Sequence, residues 1–412
     1  MAWHNTVTAI DIWSSKIRTV IWYFDNESKK SNFNILWVWI SASNAIRKWN
    51  ILDMEEFKNN LDKSLEEAEK MAWEQVVGAY ISFNSSTLEV IRNKGVVAIV
   101  GWEISTEDID RALDMSRSGV DLPNREILKV IPEEFVVDIE EGVKNPIGMS
   151  ARKLEVVANI FSMNTNVLNN IKKAIADIGI EIYDIYPNLL SSSEWILTKR
   201  QKELWVVCID IGASATGISV FEEGTLKFST IIPIGWDSVT NDIALWLRTS
   251  TWVAEKLKMD YAELGLETKE WYVDKEIDLA ELNIWEEGML SPLYLSQIAT
   301  ARYEEIFYFV REELRKVWKD GMLPEWAVCV GWWAKVKWFI NLWKKALKLP
   351  TFIGVPVNDD DYCDASVSDP VFASVLWTMI LSNKYSSSPR VFSLNLGGFM
   401  NSVVWIFKKI LP

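Results

Sequence analysis

Two aspartates with matching surroundings mark where this sequence could do chemistry. "AIDIWSSKIRTVI" (Ala9 to Ile21) and "CIDIGASATGISV" (Cys208 to Val220) are each a β-rich run ending Ile-Asp-Ile, a turn of small residues, and a second β-branched run. Each reads as a hairpin whose first strand delivers a carboxylate, Asp11 or Asp210, to its end. Successive backbone N–H groups in such a turn form an anion-cradling concavity, and a carboxylate at the strand end suits a hydrated Mg²⁺ beside phosphates. One such turn is weak evidence, and two unrelated surface hairpins are the alternative. Two copies about 200 residues apart, each opening a half of the chain, favour a shared phosphate site.

Superposing Asp11 on Asp210 places Trp13 on Gly212. The same anomaly recurs in "CVGWWAKVKWF" (Cys329 to Phe339), where a strand from Ala327 to Val330 runs through Gly331 into Trp332 and Trp333, then into an amphipathic segment, Lys335 to Leu347. Glycine is the usual occupant of such a turn, because it takes positive φ freely and lets a ligand come close. The chain has 23 Trp and 18 Gly in 412 residues, whereas an average composition gives about 29 Gly. Most of the tryptophans therefore read as glycine positions. A gene in which UGA encodes glycine, translated with UGA as tryptophan, produces this subset. A truly Trp-rich protein and deliberate substitution are the alternatives.

The elements that must position these residues are those of an α/β protein. The length allows two or more cores, and 49% hydrophobic with 24% charged residues is globular. No run of about 18 apolar residues and no signal pattern appears, so a cytoplasmic location is expected. Net charge −14 argues against nucleic acid as a partner. Cys208, Cys329 and Cys363 are too widely spaced for a disulfide framework or zinc site and read as small core residues; His4 is the only histidine, which removes histidine-based nucleophile activation.

Further motifs carry a resemblance. "IIPIGWDSVTNDIALWLRTSTWVAEKLK" (Ile231 to Lys258) has a turn at Gly235-Trp236, a helix from Ser238 to Leu247, and a second helix with Ala254, Glu255 and Lys258. With "CVGWWAKVKWF", "DPVFASVLWTMI" (Asp369 to Ile380) and "PIGMSARKLE" (Pro146 to Glu155), nearly the whole chain resembles the FtsA family of bacterial cell-division proteins, within the actin and Hsp70 superfamily. Trp13, Trp236, Trp246, Trp332, Trp333, Trp338 and Trp377 fall where that family has glycine.

The resemblance implies a two-lobed, actin-like ATPase fold of α/β class, with a small α+β insertion domain in the first lobe and a C-terminal amphipathic helix. It implies ATP with Mg²⁺ between the lobes. Asp11 and Asp210 would hold the metal through water and could orient an attacking water. Trp13 (as glycine), Ser14, Ser15 and Lys16 would form the first phosphate loop; Gly212, Ala213 and Ser214 the second; Gly235, Trp236, Gly331, Trp332 and Trp333 the loops around the adenosine. Glu255 and Lys258, one helical face apart, would meet the ribose and base; an isolated Glu-x-x-Lys is otherwise a surface ion pair. The family's first threonine and its aspartate are missing from Gly212-Ala213-Ser214-Ala215-Thr216-Gly217, so ATP is expected as a conformational ligand with at most slow hydrolysis.

The expected organisation is a first lobe over 1–83, an inserted subdomain over 84–166 read as strand, helix and two strands, and a return through 167–203. The second lobe spans 204–236 and 301–358, with a smaller subdomain over 237–300 on the FtsZ side. Residues 359–384 return to the first lobe, 385–397 are linker, and 398–412 a membrane-targeting helix. Arg302, on a helix from Ser296 to Lys316, is the candidate contact to FtsZ, against the alternative of a solvated charged face. At 100° per residue the last helix puts Phe399, Val403, Val404, Phe407 and Ile410 on one arc of about 160°, with Lys408 and Lys409 on the other face; this suits a membrane interface, with a self-docked helix as the alternative. The resemblance adds FtsZ, other divisome proteins, membrane lipids and copies of the chain itself, in filaments, as partners at the septum. A PilM-like pilus-assembly protein and an Hsp70-like chaperone are the competing readings.

Overall fold

In the computed structural model, β1 (Thr6–Ile12) and β2 (Lys16–Phe24) form the first hairpin, antiparallel with Asp11 opposite Arg18. The structure describes residues 6–13, 16–24, 33–42, 45–47, 50–83, 85–266, 276–281, 288–317, 326–331 and 339–354. The hairpin continues into β3 (Phe33–Ala42) and a short pair, β4 (Ile46–Arg47) and β5 (Asn50–Ile51). Helix α1 (Met54–Ala72) starts at Asp53, whose carboxylate accepts from the Glu55 and Glu56 amides, satisfying N–H groups that have no partner inside the helix. Its Phe57, Leu61, Leu65 and Ala68 fall at helical spacing and pack with Ile10, Ile12, Ile17 and Ile21 of the hairpin in one core. β6 (Gly78–Phe83) then pairs parallel with β1.

The inserted subdomain comprises β7 (Glu89–Ala98), α2 (Thr106–Ser118), β8 (Arg125–Val137), β9 (Glu140–Val143) and β10 (Lys153–Asn164), in the sheet order β7-β10-β8-β9. It has one strand more than the sequence pattern predicts. β9 is only four residues long and follows a tight turn in which Asp138 takes φ 56°, so no apolar alternation announces it. Helix α2 is fixed by a Ser105–Asp108 capping box and lies close on the sheet at Gly95, where a Cβ would sit 1.9 Å from the Ala112 carbonyl oxygen.

Helix α3 (Thr165–Asp177) and β11 (Glu181–Pro187) complete the first sheet, in the order β11-β6-β1-β2-β3. Helix α4 (Asn188–Ile196) leads through α5 (Lys199–Glu203) into the second lobe. There β12 (Val206–Ile211), β13 (Thr216–Glu222), β14 (Thr225–Ile232), β17 (Trp326–Val330) and β18 (Thr351–Ile353) are ordered β14-β13-β12-β17-β18. Each sheet thus has an antiparallel three-strand meander followed by two parallel strands, so the echo seen in the hairpins extends to both lobes.

Around the second sheet lie α6 (Asp237–Leu247), α7 (Thr251–Tyr261), the short pair β15 (Ile277–Asp278) and β16 (Met289–Leu290), α8 (Pro292–Val317) and α9 (Phe339–Leu347). Helix α8 begins four residues before the expected Ser296, because Ser291 caps it and Pro292 is tolerated in a first turn. Cys208 and Cys329 are free and buried. Among the described residues, no helix is long and apolar enough to cross a membrane.

Candidate functional site

Both aspartates end their strands fully or nearly buried, Asp11 at 0% exposure and Asp210 at 5%. Asp11 sits opposite Arg18 on β2 and beside Ser82 on β6, which aims all three side chains to one face of the sheet. Its Oδ2 accepts from the Trp13 indole Nε1 at 2.6 Å and the Arg18 guanidinium at 3.0 Å, and its Oδ1 accepts from Asn188 Nδ2 at 2.9 Å. Asn188 is itself held by Ser82, whose hydroxyl donates to Asn188 Oδ1 at 2.5 Å. The Arg18 guanidinium lies 4.7 Å from the Trp13 ring centroid.

Asp210 is differently supplied. Its Oδ2 accepts from Ser192 Oγ at 3.0 Å, while its buried Oδ1 has no hydrogen-bond partner. Burial pushes the Asp210 carboxyl up to about 7, with the Ser192 hydrogen bond opposing the rise and the charge of Asp11 adding to it. Asp11 is paired with an arginine; Asp210 is left with an open oxygen beside a tight turn. The sequence pattern presents the two as equivalent metal holders, and Arg18, which stands where the second hairpin has Gly217, is what separates them.

The two turns are built alike. The Trp13 amide donates to the Lys16 carbonyl at 2.9 Å, and the Gly212 amide to the Ala215 carbonyl at 2.8 Å. The N-terminal end of α6 closes over the second turn, where the Trp236 amide donates to Gly212 O at 3.1 Å and the Asp237 amide to Ala213 O at 2.8 Å. Gly235 makes this approach possible: a Cβ there would lie 2.4 Å from both of those carbonyl oxygens. The Ser214 hydroxyl is 3.5 Å from Asp237 Oδ2. The Trp13 indole lies over this second turn, with Cζ3 3.7 Å from the position a Cβ on Gly212 would take.

On α7, Lys258 is 1% exposed, pairs with Glu255 at 2.6 Å, donates to Thr240 Oγ1 at 2.5 Å, and lies 3.6 Å from the Trp236 ring centroid. Thr240 Oγ1 also donates to Glu255 Oε2 at 2.6 Å. Burial pushes the Lys258 ammonium down to about 8, against the pull of Glu255. Glu255 and Lys258, expected to meet a ribose and base, form an ion pair with each other, and the Trp236 indole roofs it.

Gly331 directly follows Val330, which pairs with Asp210, so the third loop leaves the sheet beside the second carboxylate. Ser14, Ser15, Trp332, Trp333 and the tail residues Phe399, Val403, Val404, Phe407, Lys408, Lys409 and Ile410 lie outside the described residues. Arg302 is on α8, apart from this site, in a two-point pair with Asp242 at 2.5 and 2.9 Å and a further pair with Glu305. Sequence reasoning missed Arg18, Asn188, Ser192 and Thr240. Arg18 was readable from hairpin register once Asp11 was chosen; the other three depend on how separate elements dock. Among the described residues no three acidic, histidine or cysteine side chains gather as a metal cage.

Family models match in two places: one for the "SHS2 domain inserted in FTSA" at residues 85–162, and one for "Cell division protein FtsA" at 207–376. The chain is 28% identical over 368 residues to cell division protein FtsA of Pseudomonas aeruginosa, covering 89% of this chain and 87% of that one. It is 29% identical over 356 residues to the FtsA of Bacillus subtilis, covering 84% and 79%. Among solved structures it is similar in fold to the PilM-PilN type IV pilus biogenesis complex, with TM-score 0.64, 10% identity and coverage of 91% and 98%. It is similar also to MreB5 of Spiroplasma citri bound to AMPPNP, with TM-score 0.53, 12% identity and coverage of 93% and 97%.

Proposed function

The chain belongs to the FtsA family of actin-like cell-division proteins, and from that premise we propose that it binds Mg-ATP between its lobes and ties FtsZ to the cytoplasmic face of the membrane at the septum. The observation that carries the nucleotide reading is the unpartnered Asp210 Oδ1 beside the Gly212 turn. A buried carboxylate oxygen without a donor is costly, and a hydrated divalent cation supplies both charge and donors. The structural neighbour bound to AMPPNP supports a nucleotide as the ligand. When bound, Mg-ATP supplies the phosphates and the metal; Asp210 holds the metal's water shell, Asp11 stays fixed by Arg18 and Asn188, and the Gly212, Ala213 and Ser214 turn meets phosphate. The missing threonine and aspartate of that loop leave fewer groups to place water, so turnover is slow or absent and ATP acts by closing the lobes.

Glycine is read at most of the tryptophan positions, from several supports. Trp73 caps α1 with φ 57° while 91% exposed, and Trp205 has φ 62°; left-handed backbone costs a side-chain-bearing residue roughly 1–2 kcal/mol, and glycine much less. The indole nitrogens of Trp22, Trp39 and Trp236 are buried without a hydrogen-bond partner, whereas buried indoles usually find one. Trp13 and Trp236 fill the space over the second turn and over Lys258.

FtsZ would dock on the face of the second lobe that carries Arg302, and the segment 398–412 would hold the assembly on lipid as a peripheral membrane helix. Self-association into filaments and contacts to other divisome proteins follow the family. A PilM-like role rests on fold likeness alone.

Calorimetry with glycine at 13, 236, 332 and 333 tests the nucleotide reading. Mg-ATP should bind, and Asp210→Ala should weaken it about tenfold or more, the loss expected from one charged interaction. Unchanged affinity in that variant removes Asp210 from the site.

A further inference from the structure

The inserted subdomain meets the second lobe through two β-bulges that face each other. In β8, Pro132 cannot donate to the sheet, and the register with β10 slips so that Glu133 is the extra residue between the pairs Val157–Glu134 and Ala158–Pro132. In β14 the register with β13 slips likewise, leaving Lys227 extra between Val220–Phe228 and Phe221–Leu226. A bulge re-aims its side chain out of the regular alternation. Here both are aimed at each other: Lys227 Nζ is 3.4 Å from Glu133 Oε1, and 3.9 Å from Glu134 Oε2. The Glu133 side chain is 4% exposed and is also gripped by Arg92 of β7, at 2.6 and 3.1 Å.

Beside this ion cluster, Asn159 Nδ2 of β10 donates to the Leu226 carbonyl at 2.8 Å, and the buried Leu226 side chain shares a core with Phe161 and Met163 at the base of β10. Leu226 pairs with Phe221, and Phe221 with Val206, at the start of β12; Asp210 is at the other end of that strand. The contact therefore grips the second lobe at the end of the sheet away from the Gly212 turn.

We propose that the inserted subdomain is a clamp on the second lobe, with Glu133, Asn159 and Lys227 as its jaws, so that seating of the subdomain and opening of the cleft are one coupled equilibrium. Rocking of the lobes about α4 moves the two ends of the second sheet in opposite senses, and the clamp resists the movement at the far end. Whatever loads the inserted subdomain then changes affinity in the cleft, and cleft ligand changes the subdomain by the same factor. The link to nucleotide rests on the Mg-ATP reading above; the clamp itself does not.

Hydrogen–deuterium exchange on the full chain tests it. Lys227→Glu, which sets like charge against the buried Glu133, should speed exchange in both β8 and β14 by roughly tenfold, while Lys94→Gln, which breaks the Lys94–Glu155 pair within the subdomain, should leave β14 unchanged. Acceleration confined to β14, or absent from both strands, overturns the clamp. Should Lys227→Glu fail to fold, Lys227→Gln reads the same two strands with a smaller effect. In the chain with glycine at 13, 236, 332 and 333, Mg-AMPPNP should slow exchange of β8 and lose that effect when Lys227→Glu is added. Binding by calorimetry with unchanged β8 exchange overturns the coupling, whereas no binding at all defeats the nucleotide reading and leaves the paired acceleration to decide the clamp.

Discussion

Asn188 and Ser192 stand one helical turn apart on α4 and donate to opposite lobes, Asn188 Nδ2 to Asp11 and Ser192 Oγ to Asp210. Residues four apart share one helix face, so a single turn of α4 fixes both carboxylates. The Asn188 carbonyl, 2.7 Å from the same Ser192 Oγ, shares that hydroxyl's single proton, and the neighbours Ser191 and Ser193 are buried. Such small side chains let the helix lie close between the two sheets. Ser192→Ala should deprive Asp210 Oδ2 of the hydroxyl that donates to it and lower Mg-ATP affinity by about 1.5–3 kcal/mol, the range for a hydrogen bond to a charged group. Ser191→Ala, whose hydroxyl donates to the Pro187 carbonyl, is the control; equal effects from both in titration calorimetry would assign the loss to helix packing.

Removing Arg18 should expose what it compensates. The Arg18 and Asp11 side chains are 2% and 0% exposed, and breaking one partner of a buried pair costs about 3–5 kcal/mol because the other charge is stranded. Arg18→Met is expected to lose that much in denaturant melts and Arg18→Met with Asp11→Asn to recover most of it. Additive losses would mean that the two residues are not energetically paired.

Asp210 gives the unliganded protein a definite pH dependence. Its folded carboxyl titrates near about 7, raised by burial from 3.8. Between those values the unfolded chain has lost the proton that the folded chain keeps, so this group's contribution to stability is fully present below about 3.8 and declines as pH rises through about 7. The difference in melting temperature between the unaltered chain and Asp210→Asn should therefore drift against the unaltered chain from pH 4 to 7. A flat difference would place the carboxyl in the ordinary range.

Trp73→Gly and Trp205→Gly should each stabilise the chain by about 1 kcal/mol, since both positions hold left-handed backbone. Thermal melts check this without reference to ligand. Loss of stability in both would favour genuine tryptophan there.

Deleting 398–412 should abolish binding to anionic vesicles and leave Mg-ATP affinity unchanged, because the carboxylates lie in the lobes. Two lysines near acidic lipid contribute roughly 1 kcal/mol each, so full-length binding should weaken in high salt. A truncated chain that still sediments with vesicles would move the anchor elsewhere.

By itself the sequence determined the repeated hairpins, the carboxylates at their ends and the α/β alternation. These follow from local patterns: β-branched runs, turn residues and helical spacing carry their own periodicity. The motif at Ile231 to Lys258 likewise located α6, α7 and the Glu255–Lys258 pair, because i and i+3 on one helix are neighbours wherever the helix lies. Tertiary structure decided how Asp11 and Asp210 are each held. Arg18 follows from the register of its own hairpin, but Asn188 and Ser192 come from a helix whose docking no short window encodes, and they set which carboxylate oxygens are met. The same holds for Glu133 and Lys227: each is an ordinary charged residue in its strand, and only two register slips, in sheets of different lobes, turn them to face each other.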